Sequence, residues 1–233
     1  MKFNRGSIFS PGSGTIGDFV FVRRGGETYV RRRPGKRTKA PTAAQRQQQV
    51  RFRTLQQFLL PFQEILKFSF YDWKKRRTGY NMAFRENYRV AIAGSYPELY
   101  VDPSLVKIAH GSIRLPYRLR AGSELPGRID FSWARESDHG DLDKAVLVAY
   151  CEERREVIYT IGAMRYAGWD ALFAPAFSGL RVATYIFFTD GKGRVSDSQY
   201  LGMVGVATEP DDVDNPLPVS NIFTKKLRKT LME

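Results

Sequence analysis

The sequence predicts an α+β protein: a basic N-terminal arm with a β-hairpin over residues 1–41, a short helical hairpin over 42–100, a seven-stranded antiparallel β-sandwich over 101–208, and an acidic loop with a short helix over 209–233. Three observations predict it. Before residue 100, apolar residues recur every three to four positions, the period of one helix face. After residue 105, apolar runs of four to eight residues alternate with turn residues, the pattern of an all-β body. The charge is lopsided, with 13 Lys and Arg against 2 acids in residues 1–53 but 9 against 11 in residues 126–208.

Each element has its own signal. Gly6 to Gly17 mixes Gly, Ser and Pro with few apolar anchors and reads as an irregular arm. Asp18–Val22 and Thr28–Arg32 are β-branched and aromatic runs around Arg23–Glu27, where Gly25-Gly26 supplies the positive φ of a tight turn. They predict a two-stranded ribbon, which is marginal alone and needs a body or a neighbour to pack on. Pro34 to Pro41 is a basic linker, and Thr42 with Gln45 has the spacing of a capping box, so a helix is expected to start there. Val50, Phe52, Leu55, Phe58, Leu59, Phe62, Ile65 and Leu66 form its apolar face, and Pro61 predicts a kink or break. A second helix is expected over Asn81–Ala93, ending at Gly94-Ser-Tyr-Pro97 and joined to the first by the basic, aromatic segment Tyr71–Arg77.

The expected strands of the sandwich are Leu105–Ile108, Arg128–Trp133, Ala145–Tyr150, Val157–Ile161, Ala171–Phe173, Val182–Phe188 and Ser198–Leu201. Glu209–Pro218 reads as an acidic loop and Asn221–Leu231 as a short amphipathic helix. At 233 residues and 42% hydrophobic, the chain is long enough to bury a core and is globular in composition. The lone Cys151 cannot form an intramolecular disulfide and is expected to fill the core. No stretch approaches the roughly eighteen apolar residues of a membrane span, and Met1–Ser7 lacks the apolar run of a secretion signal. A cytoplasmic location is expected, or one within a particle assembled there.

The chemistry the residues could support is narrow. Zinc sites need clusters of Cys and His, and hydrolytic triads need a His beside a nucleophile. One Cys and two His argue against both. His110 and His139 sit in turn-like Ala-His-Gly and Asp-His-Gly contexts and read as ordinary turn residues. Asp211–Asn215 lacks the spaced glycine and distal glutamate of an EF-hand loop. Gly12-Ser-Gly-Thr-Ile-Gly17 matches G-x-G-x-x-G, but no strand precedes it and no helix follows. The expectation is a protein with no cofactor, no metal, no small-molecule substrate and no enzymatic activity.

The remaining signal is cationic. Arg23, Arg24, Arg31, Arg32, Arg33, Lys36, Arg37 and Lys39 surround Tyr29, with Arg46, Arg51 and Arg53 on the helix beyond. Guanidinium forks hold phosphates through paired hydrogen bonds, and an aromatic among them can stack on a base. The same set could instead dock on carboxylates of a neighbouring copy. The expected partners are therefore nucleic acid without sequence preference, copies of the chain itself, or both, and no membrane.

Two resemblances bear on this reading. Residues 126–204 resemble a fibronectin type III domain, with Trp133 in the position of that family's early-strand tryptophan, Tyr150 closing the next core strand, Leu172 before Pro175, and Tyr185 opening Tyr185–Phe188. These are packing residues, so the resemblance implies a fold and no activity. The whole chain to Leu201 resembles an uncharacterised bacterial family, seen mostly in Bacteroidota. The residues that carry this are the Gly-rich start ending at Gly17, Tyr29-Val-Arg-Arg-Arg-Pro34, Pro41–Gln45 with Arg51 and Phe52, Gly94–Pro97, and Val195–Leu201. That family has no assigned activity, so the resemblance implies the domain layout alone. The basic arm on a β-sandwich body is what points to a structural or assembly protein, by analogy capsid-like or nucleoid-like. The alternative is an adhesion or carbohydrate-binding module using Trp169 and Tyr166 beside Arg165.

Overall fold

The computed structural model describes residues 2–3, 14–24, 27–35, 40–70, 78–135 and 142–208. The chain forms two compact units, residues 1–46 and 47–233. The acidic loop and the C-terminal helix expected after residue 208 lie outside the described residues, as do Gly25-Gly26 and Tyr71–Arg77.

The N-terminal unit is built on four antiparallel strands, β1 (Lys2–Phe3), β2 (Gly14–Ile16), β3 (Phe19–Arg24) and β4 (Glu27–Arg32), in the order β1-β4-β3-β2. The expected β3–β4 ribbon is present, with Phe19 opposite Arg32 and Val22 opposite Tyr29. Where an irregular arm was expected, Gly14–Ile16 pairs with β3 instead. Gly17, at φ 55, supplies the positive φ that a two-residue connection between β2 and β3 requires. A three-residue strand containing glycine is too short to show a period, so composition alone reads as loop.

The capping box forms as expected: Thr42 N donates to Gln45 Oε1 at 3.1 Å and Gln45 N donates to Thr42 Oγ1 at 3.3 Å. It opens α1 (Ala43–Leu59). Pro61 sits in a 3-10 turn, Leu60–Phe62, that separates α1 from α2 (Gln63–Ser69), because proline cannot donate to the ladder. Helix α3 (Gly79–Val90) is capped by Thr78, whose hydroxyl accepts from Asn81 N. It stops short of the expected Ala93, since Ile92 and Ala93 belong to β5 (Ile92–Ser95), paired with β6 (Glu98–Val101) around a two-residue turn at Tyr96-Pro97. A short apolar run satisfies either period, and the strand won here.

The remaining strands are β7 (Arg120–Gly122), β8 (Arg128–Ser132), β9 (Lys144–Cys151), β10 (Glu156–Met164), β11 (Trp169–Phe173), β12 (Arg181–Thr189) and β13 (Gln199–Gly205). They form an antiparallel four-stranded sheet, β10-β9-β12-β13, and a three-stranded sheet, β11-β8-β7. Leu105–Ile108 is not the expected strand. Its first residue closes a 3-10 turn, and Val106 and Ile108 are buried without joining a ladder. The short β7 was not expected.

The central strands β9 and β12 are buried along nearly their whole length because both faces of their sheet are covered. Val146, Val148, Tyr150, Ala183, Tyr185 and Phe187 face one way, into a cluster with Leu55, Phe58, Phe62 and Leu66 of the helical segment. Ala145, Leu147, Ala149, Cys151, Val182, Ile186 and Phe188 face the other, against Ile129, Phe131, Trp133 and Leu172 of the three-stranded sheet. Helices, four-stranded sheet and three-stranded sheet are thus three layers around two apolar seams. The boundary expected at residue 100 runs through the first seam. Cys151 fills the second, as its apolar setting suggested.

Candidate nucleic-acid interface

Alternation along β3 and β4 sorts the basic residues of the N-terminal sheet onto two faces. Paired positions share a face, so Ile16, Phe19, Phe21, Val30, Arg23 and Arg32 lie on one side, and Val20, Val22, Tyr29 and Arg31 on the other. Arg23, Arg31, Arg32 and Arg33 are exposed. Arg32 lies 3.9 Å from Asp18 in a solvent-exposed ion pair, a contact of the kind worth less than about 1 kcal/mol. Arg23, Arg31 and Arg33 make no ion pair among the described residues. Tyr29 donates its hydroxyl to Glu27 Oε2 at 2.5 Å, which orients the ring along the strand. Of the other arm residues, Arg24 is described only in its strand backbone, and Lys36, Arg37 and Lys39 lie outside the described residues.

The arginines on α1 are separate in character. Arg46 is exposed and belongs to the N-terminal unit. In the larger unit, the Arg51 guanidinium lies over the Tyr88 ring at 5.8 Å, and Arg53 is exposed with no acid beside it on the helix. Of the twelve expected site residues, Arg23, Arg24, Tyr29, Arg31, Arg32, Arg33 and Arg46 belong to the N-terminal unit, and Arg51 and Arg53 to the larger one. Apolar side chains are open beside the sheet's arginines, with Ile16 65% and Phe19 54% exposed.

Several other expectations resolve in this geometry. His110 was read as an ordinary turn residue, but its Nδ1 lies 2.8 Å from Asp197 Oδ1, which also accepts from Gly111 N at 3.1 Å. The pair belongs to a clasp: Ile108 N donates to Ser198 Oγ, Ser198 N to Ala109 O, and Ile113 N to Val195 O. The His110–Asp197 pair thus helps to hold the two loops together. His139, Gly12 and Asp211–Asn215 lie outside the described residues. Arg165 is not a surface partner for Trp169 and Tyr166. It is buried with its guanidinium 4.9 Å from the Phe188 ring centre, donating to Arg114 O, while its carbonyl accepts from Trp133 Nε1.

The packing residues of the fibronectin type III resemblance, Trp133, Tyr150, Leu172 and Tyr185, are all buried. Trp133 and Leu172 lie between the sheets, whereas Tyr150 and Tyr185 face the helices. Tyr150 meets Phe58 and Phe62 at ring separations of 4.8 and 5.1 Å, and burial, with the Glu152 charge adding, pushes its phenol up to about 12. Tyr185 donates to Pro103 O, and burial raises its phenol well above the ordinary value.

The sequence matches the model of a family of unknown function, DUF6266, over residues 12–202. No curated protein matches it. Among solved structures, the FN1–FN3 domains of chicken CNTN1 are similar at 9% identity and a TM-score of 0.35, covering 43% of this chain and 35% of that one. The fn3 domain of the human collagen alpha-1(XX) chain is similar at 17% identity and a TM-score of 0.33, covering 47% of this chain and 97% of the other. The chain thus spans about a third of the chicken fragment.

Proposed function

The chain belongs to the DUF6266 family of unknown function, and we propose that it is a non-enzymatic structural or assembly protein whose N-terminal sheet holds nucleic acid without sequence preference. The observation that carries this reading is the set of exposed arginines Arg23, Arg31 and Arg33, which have no ion-pair partner among the described residues. Guanidinium forks left without carboxylates are available to phosphates, and phosphate contacts carry no sequence information. The open side chains of Ile16 and Phe19 on the same sheet favour a second copy of the chain as an additional partner, as in a capsid-like or nucleoid-like assembly. In this reading the two sheets of residues 120–205 form a fibronectin type III-like sandwich that serves as the scaffold.

The test is fluorescence anisotropy of the full chain on random-sequence duplex DNA and RNA. The protein with Arg23, Arg31 and Arg33 all changed to Gln should bind at least tenfold more weakly, since each charge-assisted contact contributes about 1.5–3 kcal/mol. Unchanged binding would sink the reading.

A second reading has its own observation. Trp169 and Phe173, 55% and 72% exposed, share the outer face of β11, an edge strand. Aromatic side chains on an open face suit the rings of a sugar, as in an adhesion or carbohydrate-binding module. Tryptophan fluorescence that shifts with added oligosaccharide, and loses the shift in Trp169→Ala, would favour it over the first.

A further inference from the structure

The surface between α1 and α3 has a different chemistry from the N-terminal sheet. Gln48, Phe52 and Gln56 recur at helical spacing along α1, flanked by Gln49 and Arg53, and with Tyr88 of α3 they line a concavity of about 510 Å³. Phe52 was expected on the buried face of its helix, yet it is 50% exposed. It is nevertheless held in place, with its ring 4.6 Å from Phe84, which stacks on Tyr88 at 5.5 Å. Tyr88 is fixed in turn by its hydroxyl donating to Gln48 Oε1 at 2.6 Å. The result is a rigid run of rings, open at the Phe52 end.

The polar surroundings narrow what could lie on that ring. No acid occurs in the seventeen residues of α1, so Arg46, Arg51 and Arg53 are uncompensated along the helix. Glutamine amides offer both donors and acceptors, and an aromatic platform takes any flat ring. An acidic peptide would use the arginines and leave the ring idle, and an apolar peptide would do the reverse. A ligand that is flat, rich in hydrogen-bonding edges and negatively charged uses all three. Bases in a duplex are stacked inside it and cannot reach such a platform.

We propose that this groove receives an unstacked base of single-stranded nucleic acid, with Phe52 as the stacking platform and Arg53 on the neighbouring phosphate. This rests on the nucleic-acid reading of the chain and adds a preference for single strands that the arginines of the sheet do not supply. The experiment compares the full-length protein with Phe52→Ala, Phe52→Trp and Arg53→Gln, by anisotropy on oligo(dT), oligo(U) and a duplex of equal length. Phe52→Ala should weaken binding to both single strands about tenfold, the scale of one lost base–aromatic stack, with duplex affinity unchanged. Phe52→Trp should restore it. Arg53→Gln, at an exposed position, should weaken single-strand binding and flatten its salt dependence.

If Phe52→Ala leaves single-strand binding unchanged, or weakens single strand and duplex equally, the groove proposal is overturned while binding through the sheet stands. If Phe52→Ala melts early, Arg53→Gln alone decides, and its full retention of single-strand affinity overturns the proposal. A wild-type protein that binds neither form at about 50 mM salt overturns the groove and the sheet together.

Discussion

Gly79 opens α3 where no side chain fits: a Cβ there would stand 1.7 Å from Leu66 O in α2. Gly79→Ala must push the two helices apart, and overpacking of this kind costs about 1–3 kcal/mol. A fall in the melting temperature of several degrees is expected, and an unchanged melt would show that α2 and α3 give way freely. Gly111→Ala should behave alike, with its Cβ 2.0 Å from Val195 O inside the loop clasp. Neither constraint was legible in the sequence, where both glycines pass for turn or helix-start residues. The buried phenols give a second residue-scale prediction. The unfolded chain releases the Tyr150 proton near 10, the folded one near 12. A group whose folded value is raised stabilises fully below its unfolded value and loses that contribution as pH climbs through the folded one. Stability should therefore be flat to about pH 10 and then fall toward pH 12, where Tyr185 adds to the loss in the same direction. Tyr150→Phe should make the decline in melting temperature over that window shallower, and an equally steep decline would contradict the assignment.

At the scale of elements, the sequence was most readable where a local signal acts alone. Thr42 and Gln45 cap α1, and Pro61 breaks it from α2, each for a reason confined to a few residues. It was least readable where one stretch serves two neighbours. Ala145–Cys151 shows no alternation because the helices take its even positions and the three-stranded sheet its odd ones, so the run announces a strand but not the layer that covers each face. Phe52 fits the apolar period of α1 yet lies outside the seam, which begins at Leu55. The shared seam carries a prediction of its own. Residues 101–208 alone would leave Tyr150, Tyr185 and Phe187 uncovered and should show no cooperative melt, whereas residues 42–208 should melt cooperatively. Within the full chain, Phe62→Ala empties the centre of the seam beside Tyr150 and Tyr185 and should cost about 3–5 kcal/mol. A shorter fragment that melts as sharply as the longer one would show the helices to be an accessory layer.

At the scale of the whole molecule, charge and core are divided between different parts of the chain. Residues 1–53 hold 13 of the 37 Lys and Arg, while the two apolar seams lie within residues 55–206. Concentration of charge was readable by counting, but the sequence could not tell which arginines would find carboxylates. Arg128 pairs with Asp130 and Arg194 with Asp190, whereas Arg23, Arg31 and Arg33 pair with none among the described residues. Removal of residues 1–40 should leave the thermal melt of the remainder nearly unchanged and abolish duplex binding, as calorimetry and anisotropy on the truncated chain would register. The central claim is that the arginines of the N-terminal sheet neutralise phosphates, and its most direct measurement is the salt dependence of duplex binding by the full-length protein. If Arg23, Arg31, Arg32 and Arg33 all meet phosphates, log affinity falls against log salt with a slope of about −3 to −4, the same on random and fixed sequences. A slope near zero, or no binding at about 50 mM salt, would contradict the account.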